Sequence, residues 1–397
     1  MPPLTTTQTH DPDGRPRARA LGIPLPGTPG AFNAITDVPG VEVGVTTLVS
    51  GEGPLVVGAG PVRTGVTAIL PRGRDGVGVP CAAGWYSLNG NGEMTGTTWI
   101  EEVGALSTPI AITNTHSVGA VHEGVIRWTL GTGRTAADSW LLPVVAETYD
   151  GDLNDINGLH VRPEHAVAAL ESAVSGPIAN GSVGGGTGMN CYEFKGGTGT
   201  ASRIVRHASH DYVVGVLLQA NFGARAELTV AGVPVGLELT DDNPLADAWA
   251  SRAGGRATGG HGSVIVIVAT DAPLLPGQCK ALARRVPLGL ARTGTHGGHF
   301  SGDIFLAFST ANAGALASVE PVADTRDPDH DHLDAVPWGH VDPLYTAVVE
   351  AVDEAVLNAL VVNDDMVGRD GHRSPALPHD KVLEILRRHA RVAPAAP

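Results

Sequence analysis

Six short apolar runs, rich in valine and isoleucine and fenced by glycine and proline, constrain this chain more than any other feature. They are ITDVPGVEVGVTT (35–47), GVTAILPRG (65–73), TPIAITNT (108–115), YVVGVLLQANFG (212–223), GSVIVIVATDAP (262–273) and DIFLAFST (303–310). Their apolar stretches are too short for helices and carry β-branched residues, so they predict strands. Several do not alternate between apolar and polar. A strand apolar on both sides is expected where a sheet lies between two other layers. Clear helical stripes are fewer: 162–174, 273–292 with a Gly/Pro break, 343–362 and 379–390. The stripe at 343–362 places Leu344, Val348, Val352, Val356 and Leu360 four apart, behind Asp342 as N-cap and Pro343 at the first position. The pattern predicts sheet layers covered by helices, an α/β fold.

Glycine and proline supply 53 and 29 of the 397 residues without any period, which fits a compact body with many tight turns. With 26 basic against 41 acidic residues the net charge is −15, the wrong sign for a nucleic-acid partner. No apolar run approaches the roughly 20 residues of a membrane-spanning helix, and the Arg-containing start has no apolar segment behind it, so no secretory signal is read. Three widely spaced cysteines, Cys81, Cys191 and Cys279, fit reduced buried thiols and a cytoplasmic protein. The Pro/Thr/Arg-rich residues 1–30 are expected to be a loose arm, and 31–397 a single domain.

Most candidate motifs fail on geometry. The Gly-rich segments 251–262 and 181–190 lack the order strand, loop, helix that a phosphate cradle needs. His330, Asp331 and His332, with His340 beyond, match no zinc spacing and read as a solvated loop, so no metal is expected. His116 and His122 stand six apart on one expected helix, do not share its face well, and read as structural.

The sharper case is Ser263, which follows Gly262 and opens the apolar strand SVIVIVA. A Gly-Ser pair is common and decides nothing alone. Were the Gly262–Ser263 bond cut, however, Ser263 would become a chain N-terminus at the end of a rigid strand. Its α-amine would titrate near 7.7–8.0, close to the ideal for a general base at neutral pH. Nucleophile and base would then share one residue. A glycine before the cut tolerates the contorted backbone that self-cleavage requires.

A series of segments carries a resemblance: ITDVPGVEVG (35–44), LNGNGEMTG (88–96), ITNTHSVG (112–119), LPVVAETYDGDLNDING (142–158), GGGTGMNCYEFKGGTGTASR (184–203), VGVLLQANFG (214–223), GSVIVIVATDAPLLP (262–276) and SGDIFLAFSTAN (301–312). Through them the chain resembles the L-aminopeptidase/D-esterase and β-peptidyl aminopeptidase family of self-processing hydrolases, over about residues 33–381. The resemblance implies a four-layer αββα sandwich, like N-terminal-nucleophile hydrolases but differently connected and shared with ornithine acetyltransferases. It implies cleavage into an α chain 1–262 and a β chain 263–397, homotetramers of αβ units, and no metal or organic cofactor. It further implies short peptide, amide or ester substrates.

Site roles follow from the same resemblance. Ser263 matches the nucleophile, and Ser301 and Asp303 match the hydroxyl and acid beside it. Some relatives carry Glu where this chain has the shorter Asp303. Asn221 matches the oxyanion donor and Tyr149 an active-site tyrosine. Glu147 matches the carboxylate that holds the substrate's free amine. Lys195 is a weaker candidate for site electrostatics, with a purely structural lysine as the alternative. The Asn89/Asn91 loop is either near the site or a plain turn. Two rival functions stand beside this one: acyl transfer on the ornithine acetyltransferase fold, and an unprocessed, non-catalytic homologue.

Overall fold

The computed structural model describes residues 3–134, 140–244, 262–318 and 330–392. Twelve of its strands matter here: β1 (Glu42–Ser50), β2 (Val62–Leu70), β3 (Cys81–Ser87), β4 (Ala105–Leu106), β5 (Ile110–Asn114), β6 (Val144–Thr148), β7 (Asn190–Cys191), β8 (Phe194–Lys195), β9 (Gly197–His207), β10 (His210–Asn221), β11 (Gly262–Thr270) and β12 (Ser301–Ser309). They form a four-stranded sheet β1-β2-β5-β6 and a six-stranded sheet β4-β3-β12-β11-β10-β9, with β7 and β8 as a separate hairpin. β5 runs parallel to β6 and β11 to β12, and the other pairings are antiparallel.

The runs without alternation are the strands buried on both faces. Along β11, Ile265, Ile267 and Ala269 turn toward the first sheet, where they meet Ile110, Ile112, Val144 and Ala146. Val264, Val266 and Val268 turn the other way, into a cluster with Leu344, Val348, Val352 and Val356 of the long helix Asp342–Val361. Helices Pro276–Ala283 and Val286–Arg292 contribute Cys279, Leu282 and Leu290 to the same cluster. On the far side of the first sheet, Val66, Ala68 and Leu70 pack against helices Val118–Gly131 and Pro163–Glu171. The order helix, sheet, sheet, helix is the expected αββα sandwich. Each buried Val or Ile in these layers contributes roughly 1.5–3 kcal/mol.

Two local expectations change. The long helix begins at Asp342 itself, with Val341 as its cap residue. His116 and His122 fall on different elements, a 3-10 turn Thr115–Ser117 and the helix Val118–Gly131. Residues 251–261 of the Gly-rich segment 251–262, and residues 324–329 ahead of His330, lie outside the described residues. His330, Asp331, His332 and His340 are all exposed.

The expected loose arm is tied down. Arg17 and Ala18 are buried, with the Arg17 guanidinium donating to the carbonyls of Phe32, Asn33 and Thr200. Arg19 and Arg203 converge on the fully buried carboxylate of Glu354 in the long helix, at 2.7 and 2.8 Å. Burial alone would raise the Glu354 pKa, but Arg203, Arg19 and Arg17 hold it down to about 2. Its stabilising contribution is therefore complete above its ordinary 4.5 and lost as pH falls toward 2. Glu354→Ala leaves the guanidinium groups buried and uncompensated, and is expected to cost about 3–5 kcal/mol. Urea midpoints of the variant and the parent at pH 7 test this, and an unchanged midpoint would contradict it.

Candidate active site

The site is built at the edge where β10, β11 and β12 begin or end. Antiparallel register sets Asn221, the last residue of β10, opposite Ser263. Parallel register sets Ser301 beside Gly262 and Gly302 beside Ser263. Gly262 has φ +151°, and a Cβ there would lie 1.9 Å from the Asn221 carbonyl oxygen, so only glycine fits before the serine. Ser263 is buried at 4% exposure, yet it lines a cavity of about 420 Å³. Asn91, Thr115, Glu147, Tyr149, Asn190 and Asn221 share that cavity.

The Asn221 carboxamide is fixed at both ends. Its Oδ1 accepts from the Asn190 backbone N–H at 2.8 Å, and its Nδ2 donates to the Tyr149 carbonyl at 2.9 Å. An amide nitrogen has two hydrogens, so the second faces the cavity side of the group. Asn190 comes from the β7–β8 hairpin, whose two turn residues, Tyr192 and Glu193, both have positive φ (54° and 59°). Non-glycine residues hold that conformation only where the surroundings over-determine it. Here the Tyr192 N–H donates to the Phe222 carbonyl, its hydroxyl bonds Thr293, and Arg225 donates to the Glu193 carbonyl.

Glu147 is the last residue but one of β6 and is 2% exposed. Its carboxylate accepts from the Glu93 backbone N–H at 2.9 Å and from the Thr115 hydroxyl. Burial pushes its pKa above the ordinary value, against the lowering effect of those two bonds. Among the described residues no lysine or arginine forms an ion pair with it, and no basic side chain lines the cavity, whereas Asp152 and Glu193 do. A buried carboxylate with hydrogen bonds, the His116 imidazole near enough to act on it and no lysine or arginine partner has the chemistry to hold an ammonium ligand.

Ser301 and Asp303 reach the strand of Ser263 from its other face. By strand alternation they side with Phe305 and Ala307, whereas Ser263 sides with Ile265 and Ile267. Ser301 donates to Asp303 Oδ1 at 2.5 Å, and Asn89 donates to its Oδ2 at 3.1 Å. The Asp303 carboxylate also receives the Val264 N–H, and burial raises its pKa against these bonds. The shorter acid thus reaches Ser301. The pair sits beside the main chain at 262–264 rather than in the cavity with the serine side chain.

Lys195 does not line the cavity. It is fully buried behind it, with Nζ donating to the Met189 and Gly196 carbonyls at 2.9 and 2.8 Å, and burial lowers its pKa to about 7. Tyr149 is 43% exposed at the cavity wall, its ring against Gly151. The asparagine loop is near the site: Asn89 bonds Asp303, and Asn91 lines the cavity and donates to the Phe300 carbonyl at 2.8 Å. Sequence reading missed Asn190, Thr115, Asp152 and Glu193. Asn190 is 7% exposed, lines the cavity, and neither the oxygen nor the nitrogen of its side-chain amide has a hydrogen-bond partner among the described residues. Its only signal was its place inside the matching segment GMNCYEF.

The model of peptidase family S58 matches residues 33–374. The chain belongs to peptidase family S58. It is 50% identical over 383 residues to a β-peptidyl aminopeptidase of Sphingosinicella microcystinivorans, covering 96% of this chain and 94% of that one. Among solved structures it resembles the L-aminopeptidase D-Ala-esterase/amidase of Ochrobactrum anthropi, described as a variant of the Ntn hydrolase fold. The TM-score is 0.85 and the identity 44%, over 96% of this chain and 100% of that one. A Burkholderia sp. β-aminopeptidase matches at TM-score 0.84 and 46% identity, over 94% and 98%. Membership makes the protein a peptidase, and the relatives named here are aminopeptidases.

Proposed function

We propose that this member of family S58 cuts its own Gly262–Ser263 bond and then releases N-terminal residues from short peptides, amides and esters through an acyl-enzyme on Ser263. The observation that carries the reading is one cavity holding both Ser263 and Glu147, a buried carboxylate with no lysine or arginine partner among the described residues. The substrate's ammonium pairs with Glu147, which places the adjacent carbonyl at the serine. The Ser263 hydroxyl attacks that carbonyl, and its proton passes to the freed α-amine. The α-amine hands it to the departing amine or alcohol, and water, activated by the same base, then hydrolyses the ester. Ser301 and Asp303, beside the main chain at 262–264, hold that amine in place. The second N–H of Asn221 meets the oxyanion, a contact worth roughly 2.7–4 kcal/mol of barrier in comparable sites. Tyr149 donates to the intermediate or the leaving group.

The assay compares L-alanyl and β-homoalanyl p-nitroanilides with their N-acetyl forms. Release from the free amines and none from the acetylated pair is expected, and equal rates would overturn the reading. The acyl-transfer alternative is not favoured, since the matches are to peptidases, and a non-catalytic homologue is disfavoured by the same relatives. We further place the protein in the cytoplasm, a reading supported by three cysteines that are all buried and free. Assembly as a homotetramer of αβ units rests on the family resemblance, and sedimentation velocity measures it.

A further inference from the structure

A buried lysine without a carboxylate partner is costly, because two carbonyl dipoles replace bulk water around a full charge. Among the described residues no acidic side chain forms an ion pair with Lys195. Among the described residues its Nζ donates to the Met189 and Gly196 carbonyls, the Cys191 thiol lies near enough to act on it, and Asn363 fixes its own carbonyl at 2.9 Å. The Met189 carbonyl belongs to the same peptide group as the Asn190 N–H. That N–H donates at 2.8 Å to Asn221 Oδ1, and Asn221 Nδ2 donates in turn to the Tyr149 carbonyl. The bonds therefore run in one direction: ammonium to carbonyl, peptide N–H to amide oxygen, amide N–H to the Tyr149 carbonyl, with the second amide hydrogen left for the cavity.

We propose that Lys195 is a positioning residue that acts through the Met189–Asn190 peptide group to orient and polarise the Asn221 carboxamide beside Ser263. Drawing electron density toward the Met189 oxygen makes the Asn190 N–H a stronger donor. A stronger donor on Oδ1 makes the Nδ2 hydrogens more acidic, the usual cooperativity of hydrogen-bonded chains in a low dielectric. The Asn190 N–H also settles which end of the Asn221 amide is oxygen, so that its nitrogen, and not its oxygen, is presented to a developing oxyanion. The hairpin turn at Tyr192 and Glu193 holds β7 and β8 so that Lys195 and Asn190 meet the same peptide group. The proposal rests on the reading of Asn221 as the oxyanion donor, and its test separates the two.

The test is a double-mutant cycle on the processed enzyme, with kcat taken per mole of β chain beginning at Ser263. Asn221→Ala is expected to lower kcat about 10²- to 10³-fold. Lys195→Met, and Lys195→Gln, which keeps a neutral donor for the two carbonyls, are each expected to lower kcat about tenfold with KM within about twofold. Their melting temperatures should be equal to or above the parent's, because an uncompensated buried charge has been removed. In the Asn221→Ala background the lysine changes should cost nothing more, since they act through that amide. A Lys195 variant with parental kcat, beside an impaired Asn221→Ala, overturns the proposal and leaves the oxyanion reading standing. A tenfold loss that persists in the Asn221→Ala background also overturns it, as does a loss that tracks a fall in melting temperature. If Asn221→Ala itself keeps full kcat, the oxyanion reading fails and the proposal with it.

Discussion

Ser263→Ala is expected to give one uncut chain of 40.6 kDa with kcat reduced about 10⁶-fold, the scale lost when a serine nucleophile is removed. Two functions fail together, because the same hydroxyl serves both cleavage and turnover. The fold should survive, since the strand behind the serine is held by Val264, Ile265, Val266 and Ile267, all fully buried. Ser263→Thr is the informative companion: an N-terminal threonine can also act as nucleophile and base, so cleavage should persist. Denaturing electrophoresis and p-nitroanilide release check both variants. Cleaved, active Ser263→Ala protein would contradict the account.

The second large effect is expected at Glu147. Glu147→Gln keeps the side chain's shape and removes its charge, so the substrate ammonium enters a buried site without a counter-ion. Truncating one member of a buried charge pair costs about 2–5 kcal/mol, roughly a thirty- to several-thousand-fold loss in kcat/KM. The parent should also lose kcat/KM on the acid side as the carboxylate is protonated. Burial raises the Glu147 pKa, so its share of the loss begins at higher pH than for an ordinary glutamate and adds to the loss from protonation of the Ser263 α-amine; Glu147→Gln should remove the carboxylate's share and leave the amine's. Profiles of kcat/KM for L-alanyl p-nitroanilide from pH 4 upward read both effects. An unchanged limb in the variant would assign the titration to another group.

Much of this site could be read from the chain, and the unread parts share a cause. Strands β10, β11 and β12 announce themselves because burial on both faces demands unbroken apolar text. Strand β9 does not, since its GTGTASR faces the long helix at very close range: a Cβ at Gly199 would lie 2.0 Å from the Ala355 carbonyl. Packing there asks for small residues and overrides strand propensity. The helix Val118–Gly131 is expected around His116 and His122, but its start is not, because His116 falls in the preceding 3-10 turn. The arm read as loose because its anchor, Glu354, lies more than three hundred residues away. Nothing in local composition reveals such an ion cluster.

The functional residues divide in the same way. Gly262 and Ser263 were visible as a pair, but their meaning came from the resemblance, and the cavity and register place Asn221 and Glu147 around them. Asn190 and Lys195 depend on a hairpin whose turn residues, Tyr192 and Glu193, carry none of the glycine or asparagine signals that mark such turns. Their link to Asn221 runs through a main-chain peptide, which has no sequence signature at all.

The most direct test of the central claim is the intact mass of freshly purified protein, with sequencing of any small fragment. Cleavage at Gly262–Ser263 leaves residues 263–397, 135 of the 397 and so about 14 of 40.6 kDa, in a fragment beginning Ser-Val-Ile-Val. Activity should rise in step with the appearance of that fragment. A chain that stays whole at 40.6 kDa and still hydrolyses free-amine substrates would contradict an N-terminal serine as the nucleophile.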